Sequence, residues 1–297
     1  MKTAKILATI AFGMVSTLSA QTVDSNEAVP LEGIETSHPH RMPKLITLET
    51  AEIVESYGIG FSGGGNIHRD LFRGKGFAGT AYVGLGDVAE LGYSMEEVRT
   101  TGIEPNRLTR GHIKLAVLKE SPLVPTVSVG YGSTLAGSLV SEPVSGDPGE
   151  RCDLERGVVF VGASKSFQVS AWRIGLHPSL QYVTDELKDG ARTTAHLERF
   201  EPALALTWQQ TPQVMYMAEA KWGDAVDLET LSFDRIEARR EIETNLGVRF
   251  YLRNWLFMDA GIRHSEIPSL DRKSTGIHAN FSGVVPLRSL GNRLTRG

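Results

Sequence analysis

Several groups of residues have types that could do chemistry. Gly58-Ile59-Gly60-Phe61-Ser62-Gly63 fits G-x-G-x-x-G. That dinucleotide pattern needs a strand before it and a helix after it. Here more glycines and a polar stretch follow, so small residues in a strand facing a crowded interior explain it better. His278 and Ser282 lie on one face of an alternating segment and have the types of a base and a nucleophile. At strand rise their Cα atoms stand about 13 Å apart, too far for a hydrogen bond. Ser37-His38-Pro39-His40 offers two imidazoles without carboxylate or thiol support, a weak metal site that reads as a solvated linker. The single cysteine, Cys152, cannot form an internal disulfide and falls in an expected loop. There is no zinc-protease helix, P-loop or Ca²⁺ loop. The expectation is a non-enzymatic protein with no cofactor and no metal.

A larger set of charged residues carries more information. Glu90, Glu96, His112, Lys114, Arg173, His177, Glu219, Lys221, Glu243, Arg249, Asp259, Arg263 and His278 alternate with apolar residues at period two. In a membrane barrel that face is the lumen, because an Arg or Lys turned to mid-bilayer lipid costs roughly 2–4 kcal/mol. The mixed signs allow two arrangements. The charges pair across the lumen and plug it, or they line a narrow water-filled path of mild selectivity.

The elements that must hold these residues are strands. Ala89, Leu91, Tyr93 and Met95 oppose Glu90, Gly92, Ser94 and Glu96. Trp172, Ile174, Leu176, Leu180 and Tyr182 oppose Arg173, Gly175, His177, Ser179 and Gln181. Ile242, Thr244, Leu246, Val248, Phe250 and Leu252 oppose Glu243, Asn245, Gly247 and Arg249. The whole pattern predicts about twelve strands, within ten to fourteen, in an antiparallel transmembrane β-barrel. A two-sheet sandwich would share the period. Two features favour the barrel. Short connections (86–87, 120–125, 165–168, 210–213, 253–254) alternate with long ones (63–75, 98–106, 133–156, 185–196, 223–236, 265–274). Outer-membrane barrels have short periplasmic turns and long outer loops. Trp208, Trp222 and Trp255 fall near strand ends, as an interfacial girdle would place them.

The flanks divide the chain further. Residues 1–20 read as a signal peptide, with Lys2 and Lys5 before an apolar run that is short for a membrane helix. Residues 21–50, with Pro30, Pro39 and Pro43, read as a periplasmic linker or short plug-like segment. Residues 51–287 are the expected barrel, and 288–297 a basic tail. A formal charge of -4 gives no sign of a nucleic-acid partner. A hydrophobic fraction of 41% suits a barrel whose strands show only alternate residues to lipid.

Three stretches resemble bacterial outer-membrane barrel proteins. Residues 82–92, Tyr-Val-Gly-Leu-Gly-Asp-Val-Ala-Glu-Leu-Gly, resemble the G-L-x-D-x-x-E-L-G hairpin of that class. Residues 247–261 resemble a second such hairpin. Ser274-Thr275-Gly276-Ile277-His278-Ala279-Asn280-Phe281 is similar to the C-terminal strand signal of the class, although the chain continues past Phe281 to Arg288, Arg293 and Arg296. The entry to the first strand, Leu48–Ser56, is similar to that of YjbH-type exopolysaccharide-associated barrels. The resemblance implies an outer-membrane location, lipid around the barrel and the barrel-insertion machinery as an assembly partner. Three functions stay open. One is a narrow channel for small polar solutes. The second is a plugged accessory barrel for surface polysaccharide or envelope assembly. The third is an outer-membrane hydrolase.

Overall fold

The structure, a computed structural model, describes residues 44–54, 58–68, 75–98, 106–140, 151–189, 192–226, 238–253, 255–268 and 272–286. The signal segment, the His38 and His40 pair and the basic tail lie outside the described residues. Strands β1 (Gly58–His68), β2 (Lys75–Leu85), β3 (Ala89–Val98), β4 (Asn106–Leu118), β5 (Thr126–Val140) and β6 (Arg151–Val169) are followed by β7 (Trp172–Asp189), β8 (Arg192–Thr211), β9 (Val214–Val226), β10 (Ala238–Arg253), β11 (Leu256–Ile267) and β12 (Arg272–Pro286). Each pairs antiparallel with its sequence neighbours, and β12 returns to β1 to close the barrel. The seam runs without a register break from Gly58↔Pro286 to His68↔Gly276. Closure leaves no sheet edge, the only way a β-sheet can satisfy its backbone in lipid.

Alternation explains which side each residue faces. Outward residues such as Leu91, Ile113, Leu115, Val161, Leu206, Leu246, Ile262 and Phe281 are exposed, as a lipid-facing band requires. Trp172, Trp208 and Tyr216 gather near the short-turn end. Trp172 and Trp208 meet edge-on at 5.6 Å, and Trp208 stacks on Tyr216 at 5.3 Å. The β2–β3 turn shows why some connections are so short. Gly86 and Asp87 both take positive φ (64° and 55°), the backbone that lets only three residues, 86–88, join Leu85 to its partner Ala89.

Several strand ends differ from the sequence reading. The connection expected at 185–196 is a paired hairpin, running from Asp185↔Leu197 to Asp189↔Arg192 across one register shift between Leu187 and Lys188. The loop expected at 133–156 is partly strand: β5 runs to Val140, and Cys152 sits near the start of β6, opposite Leu139. The turn expected at 165–168 lies at Ser170 and Ala171 instead. The physical reason is common to all three. Beyond the lipid, backbone pairing continues while the apolar half of the alternation is no longer required.

The stretch before β1 does not hang free. Residues 44–54 turn back on themselves inside the barrel, with Leu45 N donating to Leu48 O (2.9 Å) and Lys44 bridging to Glu49. Leu45, Ile46, Leu48, Thr50, Ala51, Ile53 and Val54 are all buried. Residues 44–54 therefore form a plug within the barrel, while residues 21–43 lie outside the described residues.

The seam leaves no room for added bulk at Gly64. A Cβ on Gly64 would stand 2.3 Å from Ala279 O and 2.7 Å from Asn280 Cα across β1–β12. Gly64→Ala therefore forces backbone apart and should lower stability by about 1–3 kcal/mol. Urea unfolding followed by tryptophan fluorescence and by heat-modifiable gel mobility checks this.

Candidate functional site: the plugged lumen

The plug is held by side chains from strands spread around the lumen. Glu219 on β9 accepts Ile46 N at 2.6 Å, Thr47 N at 3.1 Å and Thr47 Oγ1 at 2.8 Å. Asn245 Nδ2 on β10 donates to the same carboxylate (3.2 Å) and to Thr47 Oγ1 (3.0 Å). Ser164 Oγ on β6 accepts Ala51 N at 3.0 Å, and Glu90 on β3 accepts Val54 N at 2.8 Å. These bonds satisfy plug amides that have no strand to pair with, and carboxylate acceptors make them strong.

Lys114 on β4 is the clasp. Its Nζ lies 3.1 Å from Glu49 Oε2, 3.3 Å from the Thr50 and Glu52 carbonyls and 3.6 Å from Glu90 Oε1. Apolar contacts complete the fit. Leu45, Ile46 and Leu48 pack on Ala203, Ala205, Met215, Met217 and Tyr251, while Val54 packs with Tyr82 and Val284.

Other lumen charges are paired with one another. Arg249 grips Asp259 with two bonds of 2.6 and 2.8 Å and lies over the Phe257 ring at 4.2 Å. Arg263 pairs with Glu243. On the long-connection side of the plug runs a chain of ion pairs. Arg156 bonds Asp185 (2.6 Å), Asp185 bonds Arg199 (2.6 Å), Arg199 bonds Glu201 (2.7 Å) and Glu201 bonds Lys221 (2.6 Å). Within this ring a chamber of about 370 Å³ remains, floored by Lys44, Ile46, Thr47 and Glu49. Its β1–β3 wall is small and neutral (Gly64, Ala78, Thr80, Ser94), and its β4 wall is Arg110, His112 and Lys114.

The residues singled out by sequence divide into groups. Glu90, His112, Lys114 and Glu219 surround the plug or its clasp, and His112 Nε2 lies 3.4 Å from Glu90 Oε1. Lys221 and Arg263 line the chamber. Arg249 and Asp259 are a buried pair, and Arg173 donates to Ser166 Oγ at 3.0 Å. His177 contacts Ser164 Oγ at 2.9 Å and Thr207 Oγ1 at 3.3 Å. His278 is fully buried, with neither ring nitrogen partnered among the described residues, and Ser282 bonds Ser62 (2.9 Å). Among the described residues no three side chains stand together as metal ligands.

No protein-family model matches the chain, and no curated protein sequence does. Among solved structures it is similar to an outer-membrane channel from Pseudomonas putida F1, at 10% identity over 79% of this chain and 98% of that one, with a TM-score of 0.51. It is also similar to the NanC porin, at 7% identity over 75% of this chain and 98% of that one, with a TM-score of 0.50. Closed, twelve-stranded and apolar outside, the chain is built as an outer-membrane β-barrel. Identity this low reports fold and nothing finer.

Within this outer-membrane barrel, sequence reasoning missed two groups. The plug residues Lys44, Thr47 and Glu49 sat in a stretch read mainly by its prolines. The apolar run Leu45, Ile46 and Leu48 was the available signal. Arg156, Asp185, Arg199 and Glu201 fell in or beside stretches taken for loops, and Arg110 continues the His112 and Lys114 alternation by one step.

Two outcomes follow from the clasp. Lys114→Met leaves Glu90 buried without its cation, a loss of about 3–5 kcal/mol for a broken buried pair. The urea midpoint should fall accordingly, and Lys114→Met/Glu90→Gln should recover part of it. Burial pushes the Glu49 carboxyl up, but Lys114, Lys44 and His112 outweigh this and hold it at about 2, below the ordinary 4.5. A depressed carboxyl stabilises the plug fully above its free value, and that contribution drains away as pH falls through its bound value. Hydrogen-exchange protection of the 44–54 amides should therefore fall between about pH 4.5 and 2. In Glu49→Gln the fall over that window should be smaller.

Proposed function

We propose that this protein is a non-enzymatic channel of the outer membrane for small polar solutes, held shut by its own residues 44–54. The observation that carries the reading is a plug latched by polar groups beneath a chamber of about 370 Å³. Water can replace each of these latches when the plug moves, at a net cost of about 1.5–3 kcal/mol for each bond to a charged group, so the closed state is favoured while opening stays possible. A solute of modest size fits the chamber, since ligand pockets begin at about 300 Å³. Lipid surrounds the outward apolar band, and the insertion machinery is the assembly partner that a barrel of this class needs.

A second reading is a closed accessory barrel for envelope or surface-polysaccharide assembly. The ion-pair chain from Arg156 to Lys221 favours it, since it braces the lumen wall. The hydrolase reading has less support. The His177 and Ser164 contact is oriented by Thr207 rather than a carboxylate, and Ser164 already accepts a plug amide.

Planar-bilayer recording separates the first two readings. The intact mature protein should be silent or open rarely, and a variant lacking residues 44–54 should give discrete steps. A folded, heat-modifiable variant without the plug that never conducts would leave the accessory reading.

A further inference from the structure

The chamber is not electrically neutral. Seven Lys or Arg side chains line it against four Glu, in a chain whose formal charge is -4 overall. Much of the positive charge is already engaged. Arg156 and Arg199 hold Asp185, Lys221 holds Glu201, and Arg263 pairs with Glu243. Arg110 is different: it is half-buried and has no carboxylate partner among the described residues.

Arg110 also has a place in a series. Arg110, His112 and Lys114 occupy alternate positions on the inward face of β4 and line the same chamber. Successive members stand about 7 Å apart at strand rise. The series runs from the long-connection side down to the plug and ends on Lys114, which holds Glu49, Thr50 and Glu52. The wall beside it is neutral and small, from Thr80 to Ser94, and leaves room for a ligand against β4.

We propose that the chamber binds a small polar carboxylate along Arg110, His112 and Lys114, and that the bound anion loosens the plug by taking Lys114 from Glu49. A planar guanidinium fork matches a carboxylate with two parallel bonds. Nearer the floor, the anion and the Glu49 carboxylate compete for one ammonium, so the ligand is favoured most when the plug lets go. A ligand shifts an equilibrium only by its differential affinity for the two states, and Lys114 supplies that difference. The loosening step rests on the plugged-channel reading; the binding step does not.

The test is calorimetric titration of the full mature protein in detergent with glucuronate, glucose and inorganic phosphate. Glucuronate should bind at least tenfold more tightly than glucose. Arg110→Gln should lose at least tenfold in glucuronate affinity while keeping heat-modifiable mobility, and Arg110→Lys should retain part of it. Equal affinity for glucuronate and glucose would overturn the site, and tighter binding of phosphate would overturn the carboxylate assignment. Hydrogen exchange on the same samples reads the second step. Protection of the Ala51 and Val54 amides should fall with glucuronate and not with glucose. Tight binding with unchanged protection would overturn the coupling. Because neither measurement needs conduction, a barrel that never conducts would count against the channel reading alone.

Discussion

Every backbone amide in a lipid bilayer must find a partner within the protein, and the rest of this structure follows from that demand. It compels β12 to meet β1, because an open edge would leave a column of unpaired groups in hydrocarbon. Closure then sorts side chains into two solvents. Leu91, Ile113 and Phe281 go to lipid, and Glu90, Lys114 and Arg249 go inside. A narrow interior with many charges raises a second demand, because a buried ion without a partner is costly. Arg249 with Asp259 and Arg263 with Glu243 answer it within the wall.

The plug answers what remains. Glu90 and Glu219 face inward with few cations in reach, and the amides of Ile46, Thr47 and Val54 come to them as donors. Lys114 gains two carbonyls and a carboxylate in return. The relation is reciprocal: lumen ions are satisfied by a peptide that could not otherwise satisfy its own backbone inside a barrel. The apolar side of the same peptide meets Ala203, Ala205, Met215 and Met217, where small and flexible side chains replace charges on the wall. Position along β9 thus separates two jobs, with Met215 and Met217 for packing and Glu219 for hydrogen bonding.

The architecture was legible wherever one face meets lipid. Strands such as Trp172 to Tyr182 or Ile242 to Leu252 alternate cleanly because the membrane enforces it, and Gly86 with Asp87 marks a turn by residue type alone. Legibility failed where that pressure stops. Asp185 to His196 looks like a loop because charges crowd both faces, yet its backbone pairs to Asp189↔Arg192. The plug was half legible. Its prolines and lack of periodicity suggested something other than a strand, and both a linker and a plug have those properties. What separates them is the match between Ile46 and Thr47 amides and a glutamate far along the chain, which no local pattern contains. Partner choice was similarly hidden. Alternation marks which side Arg263 faces, whereas its pairing with Glu243 depends on the register of β10 against β11.

The plug lies upstream of the whole barrel in sequence, yet its holders come from β3, β4, β6, β9 and β10. Contacts between Thr47 and Asn245 span 198 positions. A segment that precedes every barrel strand in sequence therefore finds its place only late, since its binding surface does not exist until most of the wall has been laid down. The backbone pairing of the wall has no such dependence on the plug, because each strand pairs with its neighbours. The plug's position is thus a property of the finished barrel, defined only once strands as distant in sequence as β3 and β10 stand around one lumen.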